Sequence, residues 1–147
     1  MARVLFLCVQ NAGRSQMAAA WMASLAGDAV EVGSGGSAPA DAVHPSVVEA
    51  MSEVGVELGA APRRWTDADL AAADVVVTMG CGDECPVVPG VRYLDWAVDD
   101  PSGARLDEVR AIRDDLRDRV QALLAELHAA PPGASREAPA RRDEGAR

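Results

Sequence analysis

The sequence is short of aromatics, histidines, cysteines and positive charge, and each shortage excludes something. Aromatic residues make up 3% of the 147 residues, so Val, Leu, Ala and Met must build the core. The two histidines, His44 and His128, have no ligand-like spacing to the cysteines, and no bound metal is expected. Three cysteines, an odd number, do not make the disulfide framework of a small secreted domain. With 14 Lys and Arg against 23 Asp and Glu the formal net charge is −9, which argues against nucleic-acid binding through a broad basic face. That acidity does not exclude a dianionic substrate, because charges beyond about 8 Å are screened at physiological salt and the local loop governs binding. No run approaches the roughly 20 apolar residues of a membrane-spanning helix. The apolar start at residues 4–9 is shorter than a signal-peptide core and runs straight into Gln10-Asn11. What is present, 49% hydrophobic and 25% charged residues, suits one globular domain. The expectation is a cytoplasmic monomer with a domain over residues 1–130 and a disordered tail over 131–147, where Pro, Gly, Ser, Ala and charges follow no period.

The run Val4-Leu5-Phe6-Leu7 does not alternate with polar residues and predicts a strand buried on both faces. Residues 15–25, rich in Ala and Met, predict a helix, with Gly27 placed to end it. Val30-Glu31-Val32 predicts a second short strand, followed by a flexible Gly-Ser-Gly-Gly segment at 33–36. Val47, Val48, Met51 and Val54 share one face of a helix over 46–54. Thr66 can cap a short helix over 67–73, with Asp69 at the third helical position, where a capping box takes an acid. Val75-Val76-Val77 centres a third strand and Val91-Arg92-Tyr93-Leu94 a fourth. Leu106, Val109, Ile112, Leu116, Val120, Leu123 and Leu127 recur every three or four residues and predict one long amphipathic helix. Alternating strands and helices predict an α/β fold, a three-layer sandwich with a four-stranded parallel sheet and helices on both faces. Ligands in such sheets bind beyond the carboxyl ends of the strands. The first and third strands end there at Cys8 and at Gly80-Cys81.

The segment from Cys8 to Ser15 therefore closes a strand and opens a helix. Five residues separate Cys8 from Arg14, enough for a tight loop whose N–H groups converge on an anion. That leaves Val9, Gln10, Asn11, Ala12, Gly13 and Arg14 as candidate oxyanion-binding residues. The field at a helix N-terminus favours a thiolate. Arg14 offers a planar fork for two oxygens. Asn11 and Gly13 tolerate unusual backbone angles, and the Ser15 hydroxyl can donate to the sulfur. The competing reading is a buried strand cysteine followed by an exposed arginine.

The run Cys8 to Ala18, CVQNAGRSQMA, resembles the loop shared by low-molecular-weight protein tyrosine phosphatases and the arsenate reductases built on that fold. The similarity continues through Gly33-Ser34-Gly35, Val43-His44-Pro45, residues 75–86 and residues 95–101, and covers most of the chain to about Leu127. It implies Cys8 as nucleophile, Arg14 as oxyanion clamp, Ser15 as the thiolate's hydrogen-bond donor and Asn11 as the residue that holds the loop's shape.

Displacing an oxygen from a tetrahedral oxyanion needs a proton donor. Asp100, extended by the following Pro101, is a candidate, although Asp99-Asp100-Pro101-Ser102-Gly103 is also simply a good turn. The resemblance places the general acid before this proline and so at Asp100. Cys81 and Cys85, with Gly80 and Gly82 to let the segment coil, can be a thiol–disulfide pair, two inert loop cysteines or part of a metal site. Here too the resemblance is to arsenate reductases regenerated by thioredoxin. It implies that Cys81 attacks the Cys8 sulfur as arsenite leaves, and that Cys85 then attacks Cys81, leaving a Cys81–Cys85 disulfide for an external thiol reductant. Thioredoxin is expected, with mycothiol and mycoredoxin as the alternative suggested by an Ala- and Arg-rich composition. The resemblance implies tyrosines after this proline in phosphatases that grip an aromatic ester; Ser102-Gly103-Ala104 stands there instead, so a small inorganic oxyanion (arsenate, with phosphate or sulfate as mimics) suits the site better than phosphotyrosine. The rival functions are a tyrosine phosphatase that ignores Cys81 and Cys85, and a non-catalytic arsenite-binding or thiol-sensor protein. His44 can line the site or cap a helix, with capping or packing favoured, and Arg63-Arg64-Trp65 can be a small anion-steering patch or, as favoured, a solvated edge.

Overall fold

The unbroken apolar run near the start becomes the centre of the sheet. The computed structural model describes residues 2–59, 61–80 and 89–129. Strand β1 (Ala2–Cys8) is buried at every position except Arg3. Its side chains alternate between two cores, as a strand's period of two requires: Val4, Phe6 and Cys8 lie in one, Leu5 and Leu7 in the other. Strand β1 pairs in parallel with β2 (Val30–Gly36) on one side and β3 (Val75–Thr78) on the other, and β4 (Arg92–Asp95) pairs in parallel with β3. The order β2-β1-β3-β4 puts the reversal of strand order between β1 and β3, the crevice where open α/β sheets bind ligands.

Helices α1 (Arg14–Ala26), α2 (Pro45–Glu53) and α4 (Leu106–Ala129) share the larger core, where Met17, Trp21, Met51, Val109, Leu116 and Val120 meet Phe6 and Val77. The predicted stripe on α4 is the buried one, from Val109 to Leu127. The indole of Trp21 ties α1 to α4 by donating to the Arg113 carbonyl at 3.0 Å. Across the sheet, Trp65 and, from α3 (Asp67–Ala72), Leu70 cover Leu5, Leu7 and Val76. This is the expected three-layer α/β arrangement. Helix boundaries fall within a residue or two of those read from the sequence. Among the described residues no helix is long and apolar enough to cross a membrane. The tail at 131–147 lies outside the described residues.

Two expectations need correction. The Gly-Ser-Gly-Gly segment is not a flexible connector but the second half of β2, paired to β1 as far as Gly36 opposite Cys8. Its glycines serve close approach: a Cβ on Gly35 would meet the Trp65 backbone at 3.0 Å, and one on Gly36 would stand 2.5 Å from the Val9 carbonyl oxygen. Nor is Arg63-Arg64-Trp65 a merely solvated edge. Trp65 is buried, Gly36 N–H donates to the Arg63 carbonyl at 2.9 Å, and Gly36 forms a parallel bridge with Arg64. This strap is anchored at α3, where Thr66 and Asp69 form the predicted capping box and the Arg63 guanidinium donates to Asp69 Oδ2 at 2.7 Å.

Partial burial pushes the Asp69 carboxyl up, but the bonds from Arg63 and Thr66 outweigh it and hold the group below its ordinary 3.8. Its contribution is therefore full above the unfolded-state value and lost as pH falls through the lower folded value. Asp69→Asn should cost about 1 kcal/mol at neutral pH. In urea titrations the gap between wild type and variant should stay constant above about pH 5 and close at lower pH.

Candidate active site

The loop between β1 and α1 is shaped from outside. The N–H groups of Ser37, Ala38, Ala40 and His44 donate to the carbonyls of Cys8 (3.3 Å), Val9 (2.8 Å), Gln10 (3.0 Å) and Ala12 (3.0 Å). No described peptide bond is cis, and in a trans peptide the carbonyl of one residue and the N–H of the next point opposite ways. Tying these four carbonyls to residues 37–44 turns the N–H groups of Val9, Gln10, Asn11 and Gly13 to the inside of the loop. The Cβ-less Gly36 is what lets this segment approach so closely.

Asn11 is the one described non-glycine residue with positive φ, at 51°, and it is fully buried. Its Oδ1 accepts from the Arg63 backbone N–H at 3.0 Å and from Gln16 Nε2 at 3.4 Å, which fixes the amide so that Nδ2 donates to Ser15 Oγ at 2.7 Å. Ser15 Oγ, already accepting that bond, lies 2.9 Å from Cys8 Sγ with its proton to give to the sulfur. Cys8 is 2% exposed. Gly13, also expected to take unusual angles, has φ −145° with ψ −88°, outside the α and β regions. Room is short there as well: a Cβ would stand 2.5 Å from Pro101 Cγ and 3.5 Å from His44 Cδ2. His44 itself occupies the N-cap position of α2 without a side-chain cap bond.

Arg14 opens α1 and is 9% exposed. Its Nη1 donates to the Val98 carbonyl at 3.3 Å, and its Nη2 stands 3.6 Å from Asp100 Oδ2. The Asp100 carboxylate accepts the Ser102 N–H through Oδ1 at 2.9 Å, and its side chain is 54% exposed. Pro101, buried against Gly13, fixes the segment over the loop. Beside Asp100 opens a cavity of about 440 Å³ whose lining includes Asp99, Glu108, Asp115 and Ile112 but no aromatic side chain.

The structure thus brings Cys8, Arg14, Ser15, Asn11 and Asp100 together. Cys81 and Cys85 lie outside the described residues. Three contributors were not singled out from sequence: Gln16, the Arg63 backbone and the carbonyl-tethering segment 37–44. Gln16, directly after Ser15 in a buried helical turn, was the one with a local signal. The Arg63 contact spans 52 residues and uses a backbone N–H, so its side chain could not announce it.

Comparison with known proteins agrees with this geometry. Residues 3–131 match the low molecular weight phosphotyrosine protein phosphatase family. A protein of Halobacterium salinarum provisionally named an arsenate reductase is 43% identical over 129 residues, 84% of this chain and 91% of that protein. Arsenate reductase 2 of Staphylococcus haemolyticus is 36% identical over 80% of this chain and 92% of its own length. The solved thioredoxin-dependent arsenate reductase of Corynebacterium glutamicum superposes with a TM-score of 0.80 at 43% identity, over 88% of this chain and 63% of that one. The chain belongs to the low molecular weight phosphotyrosine protein phosphatase family, and its relatives include arsenate reductases.

Proposed function

We propose that this protein reduces arsenate to arsenite, with Cys8 as the nucleophile. The observation that carries the reading is the buried chain Asn11–Ser15–Cys8, which sets a hydroxyl 2.9 Å from one sulfur beside a guanidinium and a carboxyl group. Arsenate binds with its oxygens on the N–H groups of residues 9–13 and on Arg14. The Cys8 thiolate attacks arsenic, an arsenic–oxygen bond breaks, and Asp100 gives its proton to the departing hydroxide, which leaves as water. The Cys81 thiolate then attacks Cys8 Sγ. A Cys8–Cys81 disulfide forms, and the electron pair of the broken sulfur–arsenic bond stays with arsenic, which leaves as arsenite. Cys85 attacks Cys81, frees the Cys8 thiolate and leaves a Cys81–Cys85 disulfide. An external thiol reductant reduces it. Thioredoxin fits that role, with mycothiol and mycoredoxin as the alternative, in a cytoplasm that keeps thiols reduced.

A tyrosine phosphatase would use Cys8, Arg14 and Asp100 in the same way. One observation favours the smaller substrate: the sequence supplies two further thiols directly after β3.

Wild type should consume NADPH on repeated turnover of arsenate when coupled to thioredoxin and its reductase. Cys81→Ser/Cys85→Ser should stop that turnover while hydrolysis of p-nitrophenyl phosphate continues. A double variant that still turns over arsenate would refute the relay, and a fully active Cys8→Ser variant would refute the nucleophile. Asp100→Asn should lower kcat by about 10²- to 10⁴-fold. Because it removes a negative charge beside Arg14, it should leave inorganic phosphate bound as tightly as in wild type or more tightly, as calorimetric titration would show.

A further inference from the structure

The guanidinium of Arg14 rests on a residue that the proposed chemistry does not use. Gly80 lies two positions beyond β3, at φ +85°, directly before Cys81 in the sequence. A Cβ on Gly80 would stand 2.5 Å from Arg14 Nη1, 3.2 Å from Cζ and 3.4 Å from Nη2, so the whole head of the side chain occupies the space that the glycine leaves. Positive φ does not by itself create this situation. Gly27, Gly55, Gly90 and Gly103 also have positive φ, and a Cβ on any of them would meet nothing within 4 Å. Arg14 has little freedom to retreat, because its side chain is 10% exposed and its head is already set between the Val98 carbonyl and the Asp100 carboxylate.

We propose that Gly80 is a positioning residue for Arg14: its missing side chain is what allows the guanidinium to lie at the end of β3, where it can clamp the oxyanion. The proposal rests on the reading of Arg14 as that clamp. In a collision at this point the flexible end of Arg14 yields rather than the backbone. A substitution should therefore spare the fold and displace the fork. Two-point recognition of an oxyanion by a planar guanidinium is directional, and displacement by about 1 Å is enough to lose most of it.

The test uses the full, reduced chain and inorganic phosphate as the probe, with Gly80→Ala and Gly80→Asn compared with Gly55→Ala. Asparagine tolerates positive φ better than other non-glycine residues, so Gly80→Asn isolates the steric effect from backbone strain. Gly55→Ala carries the strain without a neighbour. Both Gly80 variants should bind phosphate about tenfold more weakly or worse, and Gly55→Ala should match wild type. Alkylation of Cys8 by iodoacetamide without phosphate should keep its wild-type rate in all three, because the Asn11–Ser15 chain is untouched. A general loss of structure would change that rate too. In an Arg14→Lys background, whose compact head does not reach the same space, Gly80→Ala should add no further loss. Wild-type phosphate affinity in both Gly80 variants would overturn the inference while leaving the clamp standing, and so would an equal further loss in the Arg14→Lys background. Undiminished phosphate binding by Arg14→Lys itself would overturn the clamp and the inference with it.

Discussion

Everything at this site depends on where the carbonyls of the first loop are tied. A ring of N–H groups facing an anion is unstable when no anion is bound, because the dipoles repel and any rotation of the peptides relieves them. Here the rotation is blocked from behind, since the carbonyls of Cys8, Val9, Gln10 and Ala12 are each held by a donor from residues 37–44. Peptide planarity carries that constraint through to the opposite side of each unit. The inward donors are thus ordered before the ligand arrives, and the cost of ordering them falls on folding rather than on binding. Asn11 at φ 51° is the strained point of the arrangement, a conformation that costs a non-glycine residue about 1 to 2 kcal/mol. Its three side-chain hydrogen bonds offset that cost and hold the Ser15 hydroxyl beside the Cys8 sulfur.

The parts legible in the sequence are those encoded locally. Unbroken Val and Leu runs, a four-residue capping box and a stripe repeating along α4 each need only a few neighbouring residues to be recognised. The proximity of the thiol, the guanidinium and the hydroxyl from Cys8 to Ser15 belongs with them, since the three fall within eight consecutive positions. The sequence misled where a residue serves a distant partner. Glycines at 33–36 read as flexibility because the Trp65 backbone and the Val9 carbonyl that crowd them come from elsewhere in the chain. At Gly13 the unusual backbone angles were legible, but the crowding by Pro101, 88 positions away, was not. The pair Arg63-Arg64 read as surface charge because its backbone, not its guanidinium groups, reaches Asn11 and Gly36. Period and propensity describe side chains along one segment and are silent about backbone contacts across the fold.

The electrostatics divide the protein into a repulsive whole and an attractive point. A net charge of −9, with Asp99, Glu108 and Asp115 lining the cavity next to Asp100, disfavours extended polyanions near the site. On the proposed function the inward amides and Arg14 would act over a few ångströms, within the screening length, and would favour a small compact dianion. Asp100 stands at the border between the two. One oxygen is engaged by the Ser102 N–H, and the other stands 3.6 Å from Arg14, near but beyond hydrogen-bond distance. A carboxyl group in that position can turn to a leaving oxygen without first breaking a strong ion pair, because Arg14 has its own hold on the Val98 carbonyl.

The sheet topology explains why oxyanion chemistry and thiol chemistry can share one crevice. Strands β1 and β3 are neighbours, Leu7 is in register with Thr78, and the Met79 N–H donates to the Leu7 carbonyl at 2.8 Å. The chain therefore leaves β3 at the same height at which Cys8 ends β1. The next residue, Gly80, lies against the Arg14 head. A residue at that point has to satisfy two demands: its backbone must turn through a left-handed conformation, and its substituent must leave the fork undisturbed. Only glycine meets both without compromise. The same position then begins the segment that carries Cys81 and Cys85 in the sequence, so the fork that would hold the oxyanion and the start of the segment that would take over its sulfur partner are in direct contact.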